Sequence, residues 1–382
     1  MPRVILRDVV ERIKDKIDKD STNLEFYIGG EHFDYGEVVI TKKAPVMGST
    51  IGPAFHMHFM PGDVLLMSRN PHLRKAGMVN FEGICSDVSY VCRTKNENIL
   101  LQSYLPFIFQ TDQFWEFAEA NKKGSTNFFL NWSDFVRYEF YLPDMDKQRE
   151  LTELLWAAAK TKASYQHLLA LTDELVKSRF VEVITPLLES NQTLPLDDLV
   201  QDERPITYGI LMPGTNVEGG IPVVKVKDLV NGVIDQTNLL HTTPEIDAGY
   251  KRSKLREGDL LISIRGSVGR MAIVPDSLEG ANITQDTARL TIKPEFNKVY
   301  VRGVLESQPM QYEMERNIRG VAVKGINIGF LRKLLIPVPI KTMQDILAAF
   351  YEQTVNSKIE LKLAIETINA LIRALMQQDF CN

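Results

Sequence analysis

The sequence predicts an α+β fold: two repeated α/β domains joined by two long antiparallel coiled-coil helices. Three observations carry this. First, the chain repeats itself once. Gly62-Asp63-Val64-Leu65-Leu66-Met67-Ser68-Arg69 returns as Gly258-Asp259-Leu260-Leu261-Ile262-Ser263-Ile264-Arg265, an offset of 196 residues (258 minus 62). The same offset relates Gly36 to Gly232, Gly124 to Gly320, Asn131 to Asn327, Pro143 to Pro339 and Gln148 to Gln344. Second, each copy keeps the same order of parts. Third, a long apolar rhythm follows each closing proline. At 382 residues the chain is long for one core, and two domains are the default.

Each copy opens on a short amphipathic segment, Val4 to Val10 or Leu194 to Val200. A strand and turn follow, Phe26 to Phe33 with Gly36, matched by Pro222 to Leu229 with Gly232. The Gly-Asp turn then leads into an apolar run. Its short length and β-branched content predict a buried strand. That strand ends in a polar loop, Ser68 to Lys75 or Arg265 to Arg270, and a further strand follows. Helices are predicted over Thr111 to Asn121 and Pro309 to Asn317. The domains close at Phe135 to Pro143 and Leu331 to Pro339, where proline cannot continue a ladder.

The helices beyond show an a/d rhythm. Leu151, Leu154, Ala158, Thr161, Tyr165, Leu168, Thr172, Leu175 and Arg179 correspond to Leu347, Phe350, Thr354, Ser357, Leu361, Ala364, Ile368, Leu371 and Leu375. Leu155, Leu169 and Val176 widen the first stripe. Over roughly 35 residues each helix would be on the order of 50 Å long. A helix of that length cannot bury its stripe on a small domain, so the two are expected to pair as a coiled coil. The expected boundaries are a first domain at 1–143, a first helix at 144–185, a second domain at 186–339 and a second helix at 340–382.

Composition narrows the class. Hydrophobic residues make up 44% and charged residues 24%, as in a soluble globular protein. No run of about 18 apolar residues suggests a membrane span. The first residues carry charges where a signal peptide needs an apolar stretch. Cys85, Cys92 and Cys381 give no disulfide framework and no common zinc spacing, so the expected compartment is reducing cytoplasm. The net charge of −5 argues against a simple polyanion binder, but local field matters more than the sum. From Lys251 to Lys293, eight bases face five acids.

A duplicated enzyme should show two sets of catalytic residues, and none is repeated. Gly320 to Ile326 lacks the lysine a phosphate loop needs after its second glycine. Asn70-Pro71-His72 fails the tetrapeptide of base-amino methyltransferases, and the serine-hydrolase and zinc-protease signatures are missing. His56, His58, His72 and Asp63 could build a metal site, the basis of an alternative reading as a metal-dependent nuclease. The bland reading, histidines satisfied by hydrogen bonds, is preferred because the second copy repeats none of them.

The loop after the Gly-Asp strand carries the most suggestive chemistry. Arg69 matches Arg265, and Arg74 is paired with Arg270 at the same offset. Planar guanidinium forks suit phosphate oxygens and the guanine O6/N7 edge. Between matched frames the loops diverge: Asn70 to Leu73 against Gly266 to Gly269, and Ser125 to Phe129 against Val321 to Gly325. Two equal frames with different loops fit two half-site readers.

With these parts in this order, the chain resembles the DNA specificity subunit of type I restriction–modification systems. The resemblance rests on Leu260 to Gly269, Gly219 to Leu229, and Leu335-Ile336-Pro337-Val338-Pro339 with Gln344, and covers essentially the whole chain. It implies two target-recognition domains, each reading half of a split site in double-stranded DNA, with the paired helices setting the gap. It further implies two methyltransferase (modification) subunits docked on the helices, and restriction/translocase subunits joining them. No cofactor is expected in this chain; S-adenosylmethionine, ATP and Mg belong on the partners. The candidate DNA contacts are Arg69, Asn70, His72 and Arg74, then Arg265, Ser267, Arg270 and Lys324. The candidate helix and partner contacts are Leu151, Leu155, Tyr165, Leu175, Leu347, Phe350, Leu361 and Leu371. A subunit of a combined cutting-and-methylating system is the nearest alternative. A helical scaffold without nucleic acid is a third reading.

Overall fold

A computed structural model describes residues 2–18, 23–320 and 324–380, without the side chains of 378–380. The chain forms two compact units, one of Met1–His167 with Lys362–Asn382 and one of Leu168–Leu361.

In the first unit the apolar run predicted as a buried strand is Val64–Met67, in the middle of a five-stranded sheet. The sheet order is Val10–Ile13, Ser89–Thr94, Val64–Met67, Ala76–Val79 and Val39–Ile40. Successive strand side chains face opposite ways. Val64 and Leu66 therefore enter one apolar core while Leu65 enters another. The second core lies against a four-stranded sheet of Ala44–Pro45, Phe26–Ile28, Gly83–Ser86 and Phe55–Phe59. Cys85 and Cys92 are free thiols buried in these cores, and burial pushes both pKa values up. Cys381 lies outside the described residues.

The second unit repeats the arrangement. Leu260–Ser263 lies between Thr287–Leu290 and Met271–Ile273. Leu260 and Ile262 enter one core and Leu261 the other. The offset, however, is not constant. Leu66 pairs with Ala76 and Ile262 with Met271, so the intervening loop is one residue shorter in the second copy. Leu65 pairs with Val91 and Leu261 with Arg289, so by the next strand the offset has grown to 198, two more than the starting 196. A cationic side chain thus stands in the second copy where the first has a core valine. By Gln148 and Gln344 the offset of 196 has returned. The Leu101 amide donates to Gln148 Oε1 at 3.0 Å, as the Asn297 amide does to Gln344 Oε1. Each glutamine Nε2 in turn donates to the carbonyl of the closing proline, both at 2.9 Å.

The long helices are Met145–Glu189, with Pro186 in its last turn, and Lys341–Phe380. In the first unit Leu151 and Leu155 join the domain core together with Met376, and Ile372 and Leu375 pack against it. The Trp156 indole donates to the Ser103 carbonyl at 2.8 Å and its ring meets Phe107 edge-on. In the second unit Phe180 and Ile184 share a core with Leu347, Ala348 and Tyr351, and Lys358 pairs with Asp173 at 2.8 Å.

The expected a/d stripe needs correction. Leu154, Leu168 and Leu175 are about half exposed, and so is Leu371. Tyr165, Phe350 and Leu361 are part-buried. The covered face of the first helix instead runs through Leu151, Leu155, Ala159 and Lys162, one position round from the strict heptad. The reason is that these turns dock on a domain core, which selects a 3.6-residue stripe.

Candidate nucleic-acid interface

The Gly-Asp turn is a structural device. Gly62 and Gly258 both take left-handed φ values, 91° and 80°, which glycine adopts at no steric cost. The aspartate then folds back. The Met60 amide donates to Asp63 and the Arg256 amide to Asp259, each at 2.7 Å. Both carboxylates are buried and must be neutralised. Arg93 does this for Asp63 through two nitrogens. Arg204 does it for Asp259 with two bonds of 2.9 Å, and the Thr291 hydroxyl adds a third at 2.5 Å. Arg289 is interior, donating to Thr291 and to the Pro205 and Arg252 carbonyls. Burial first, and then the charge of Arg204, lowers its pKa to about 10. It therefore adds nothing to a basic surface, contrary to its inclusion in the count from Lys251 to Lys293.

The loop after the strand is joined to a neighbouring hairpin by backbone bonds. The Asn70 amide donates to the Phe128 carbonyl at 2.9 Å and the Leu130 amide to the Ser68 carbonyl at 2.8 Å. A short hairpin carries Phe128 and Phe129: Lys123 and Phe129 exchange bonds of 2.7 and 2.9 Å. The second copy reproduces every bond. Gly266 donates to Lys324 at 3.0 Å and Ile326 to Ile264 at 2.8 Å, while Arg319 and Gly325 exchange bonds of 2.8 and 2.9 Å. The result in each copy is a three-chain patch. Its facing residues are Arg69, Phe129 and Lys123 in the first, and Arg265, Gly325 and Arg319 in the second.

The predicted contacts fall as follows. Arg69 is exposed at the edge of the patch. Asn70 adopts a left-handed φ of 54°, the place where the second copy uses Gly266 at 71°. His72 is exposed on the tight helical turn Pro71–Leu73. Arg265 is exposed, with its guanidinium 3.0 Å from Gln285 Oε1 and 3.9 Å from Asp286. Ser267 is exposed, and its carbonyl accepts from the Ser263 hydroxyl. Arg270 and Lys324 are exposed. Residues Val321, Ala322 and Val323, between Gly320 and Lys324 in sequence, lie outside the described residues.

Arg74 requires correction. It pairs with Asp112 at 2.5 Å, at the start of the helix Asp112–Ala120. There it lines a cavity of about 500 Å³ with Tyr35, Glu37 and Lys162. Because the second loop is one residue shorter, Arg74 corresponds to Gly269, not Arg270. Both have left-handed φ, 47° and 87°, and Lys75 takes the place of Arg270.

The alternative metal site is not assembled. His58 bridges Asp15 at 2.7 Å and Glu82 at 2.8 Å, His56 meets the Pro53 carbonyl at 3.1 Å, and Asp63 is committed to Arg93. Among the described residues no group of three histidine, cysteine or acidic side chains is placed to hold a metal ion. Asn327 caps the helix Ile328–Lys333 by accepting from the Gly329 amide at 2.7 Å, and Asn131 occupies the matching cap position before Trp132–Phe135. Sequence reasoning missed the central patch residues Phe129 and Gly325. Their signal was a large contrast inside otherwise matched frames.

The geometry defines a duplicated α/β module in which an exposed arginine loop is braced by a hairpin and each copy leads into a long helix. The family model described as the type I restriction modification DNA specificity domain matches residues 214–370. The Escherichia coli type I restriction enzyme EcoBI specificity subunit is 29% identical over 196 residues, 48% of this chain. That stretch spans 40% of the curated relative's own length. Among solved structures, the type I restriction-modification S subunit from M. genitalium aligns with TM-score 0.61 and 10% identity, covering 100% of this chain and 96% of that one. A chain from a study of complex assembly and conformational transition of the type I R-M system aligns with TM-score 0.57 and 18% identity, covering 99% and 97%. These two likenesses concern the fold. Residues 214–370 thus match the type I specificity domain, and the chain is similar to type I restriction–modification specificity subunits. No helix among the described residues is long and apolar enough to cross a membrane.

Proposed function

We propose that the chain is the non-catalytic DNA-reading subunit of a type I restriction–modification enzyme. Each domain reads one half of a split, asymmetric site. The observation that carries this reading is the duplicated patch: the same backbone bonds present Arg69 and Arg265 at equal places beside loops of different sequence. Phosphate contacts by such cations position a protein on a duplex, while a few side chains at base edges specify sequence. Arg69, Asn70 and His72 are the contacts in the first half-site. Arg265, Ser267, Arg270 and Lys324 are those in the second.

The two long helices pair antiparallel and act as the spacer. Two local contacts support this. Leu151 and Leu155, near the start of the first helix, share a core with Met376 near the end of the second. Phe180 and Ile184, near the end of the first, share one with Leu347 near the start of the second. The exposed leucines, Leu154, Leu168, Leu175 and Leu371, are left for two modification subunits. Restriction subunits join these, and S-adenosylmethionine, ATP and Mg are bound by the partners. Methylation requires a flipped base and a pocket, which the modification subunits supply.

The test is domain exchange. Replacing residues 1–145 by the first domain of another family member, in the assembled enzyme, should change one half of the methylated site and leave the other half intact. A change in both halves, or in neither, refutes the division of labour. DNA cleavage or methylation by the purified chain alone refutes the non-catalytic role.

A further inference from the structure

We infer that the first copy reads a thymine through the ring of Phe129, a contact the second copy has given up. The inference rests on the DNA-reading function proposed above and names the chemistry of one of its contacts. In the first copy Phe129 is the middle chain of the patch, bonded to Lys123 on one side and lying opposite Arg69 on the other. Directly opposed residues of antiparallel chains project to the same face. One surface therefore presents Arg69, an aromatic ring and Lys123 in sequence, the lysine paired with Asp134 at 3.2 Å. The ring is 38% exposed, and Arg69 and Lys123 are exposed beside it.

In the second copy the middle position is Gly325, and the space is taken. A β-carbon there would lie 2.7 Å from Arg265 Cγ and 2.7 Å from the Ile264 carbonyl oxygen. Arg265 thus crosses the slot that the phenyl ring fills in the first copy, with Gln285 orienting its guanidinium. The backbone frame is the same, and the reading surface is apolar in one copy and ionic in the other.

The chemistry selects the ligand. A phenyl ring offers no donor or acceptor, so it cannot read hydrogen-bonding edges. The apolar feature of a base edge is the thymine C5-methyl group, displayed in the major groove. Insertion between base pairs needs a projecting side chain. Phe129 is bonded through its own amide and carbonyl to Lys123, and its neighbours Phe128 and Leu130 are bonded to Asn70 and Ser68, so its backbone is fixed within the patch and the partly exposed side chain packs against an edge. Arg69 then meets a phosphate on one side, while Lys123 on the other is paired with Asp134 at 3.2 Å.

The experiment uses the full chain assembled with its modification subunits, on duplexes carrying the site found by methylation mapping. Each thymine of the first half-site is replaced singly by deoxyuridine, which removes only the methyl group. One replacement should weaken binding about fourfold, the value of one buried methyl. In Phe129→Gly, which installs the second copy's residue, that penalty should disappear. Phe129→Leu, which keeps an apolar surface, should retain it. Binding to duplexes with a scrambled first half-site should be equal in all three proteins, which checks folding independently. The inference is overturned if the native assembly prefers its site yet loses nothing at any thymine of that half, or if the penalty persists in Phe129→Gly. If the native assembly shows no preference for its site at all, the DNA-reading function itself fails, and this contact with it.

Discussion

Replacing Asp259 by asparagine tests the view that the Gly-Asp turn is the anchor of each reading loop. The carboxylate is 1% exposed and accepts from the Arg256 amide, the Thr291 hydroxyl and two nitrogens of Arg204. Asparagine keeps the shape and removes the charge. Arg204, whose side chain is only 12% exposed, and the interior Arg289 are then left as two cations without their carboxylate. Removing one partner of a buried pair costs about 3–5 kcal/mol. The first copy supplies the control. Asp63 is equally buried, but its partner Arg93 is 39% exposed and can be solvated by water, so Asp63→Asn should cost about 1–2 kcal/mol. For a unit of this size each kcal/mol moves Tm by roughly 2–4 °C. Asp259→Asn should therefore lower the second unit's transition by about 6–20 °C, and Asp63→Asn the first unit's by about 2–8 °C. All three tryptophans, Trp115, Trp132 and Trp156, lie in the first unit. Fluorescence thus reports that unit alone, while far-ultraviolet circular dichroism reports both. A shift below about 2 °C for Asp259→Asn, or an equal or larger one for Asp63→Asn, refutes the reasoning.

Other perturbations probe the remaining parts. Burial alone would lower the pKa of His58, but its bonds to Asp15 and Glu82 and their charges outweigh burial and raise it above 6.5. The stabilisation is therefore complete below the unfolded value and lost as pH rises through the raised one; proteolysis near Asp15 should speed up over that rise in the native chain and not in His58→Ala. Inserting one heptad near Thr161 should lengthen the nonspecific gap of the methylated site and leave both half-sites unchanged; altered half-sites with the old gap would count against the spacer. Leu168→Glu with Leu175→Glu should weaken assembly with the modification subunits at least tenfold by analytical ultracentrifugation while Tm stays within about 2 °C, because both side chains are half exposed. Arg69→Ala should reduce the slope of log affinity against log salt by about 1 without changing the preferred sequence.

What was legible in the sequence was whatever local chemistry and periodicity decide. Val64–Met67 could be read because a glycine-aspartate turn leads into four apolar residues. The divergent loops after Gly124 and Gly320 were marked by the common offset, though not their hairpin pairing, and the long helices by continuous apolar spacing free of glycine and of proline before Pro186. What was hidden depended on distant partners or on small changes of register. Arg74 looked free because Asp112 stands 38 residues away. Arg289 looked like surface charge because a two-residue shift, invisible without the pairing of Leu261 with Arg289, moves it to the place of a core valine. The heptad stripe looked like a complete interface because it ignored the docking of Leu155 and Phe180 into domain cores.

Taken together, these observations explain how the two copies could diverge without losing their shape. The two bonds that join the loop to the hairpin and the two that close the hairpin run between backbone atoms, and the same four occur in both copies. Backbone bonds are indifferent to side-chain identity apart from proline. The charged anchor is set back in the turn, where Asp63 and Asp259 are sealed from solvent, and the glutamines at the helix starts bond only to main-chain atoms. No residue that fixes the frame therefore has to be one that faces a ligand. Phe129 can become glycine, and Asn70 can stand for Gly266, at little cost to the fold, because Asn is among the few residues that tolerate a left-handed backbone. A frame built in this way lets the exposed surface change while its geometry persists. The same independence makes Phe129→Gly informative: the second copy already holds this frame with glycine at the central position.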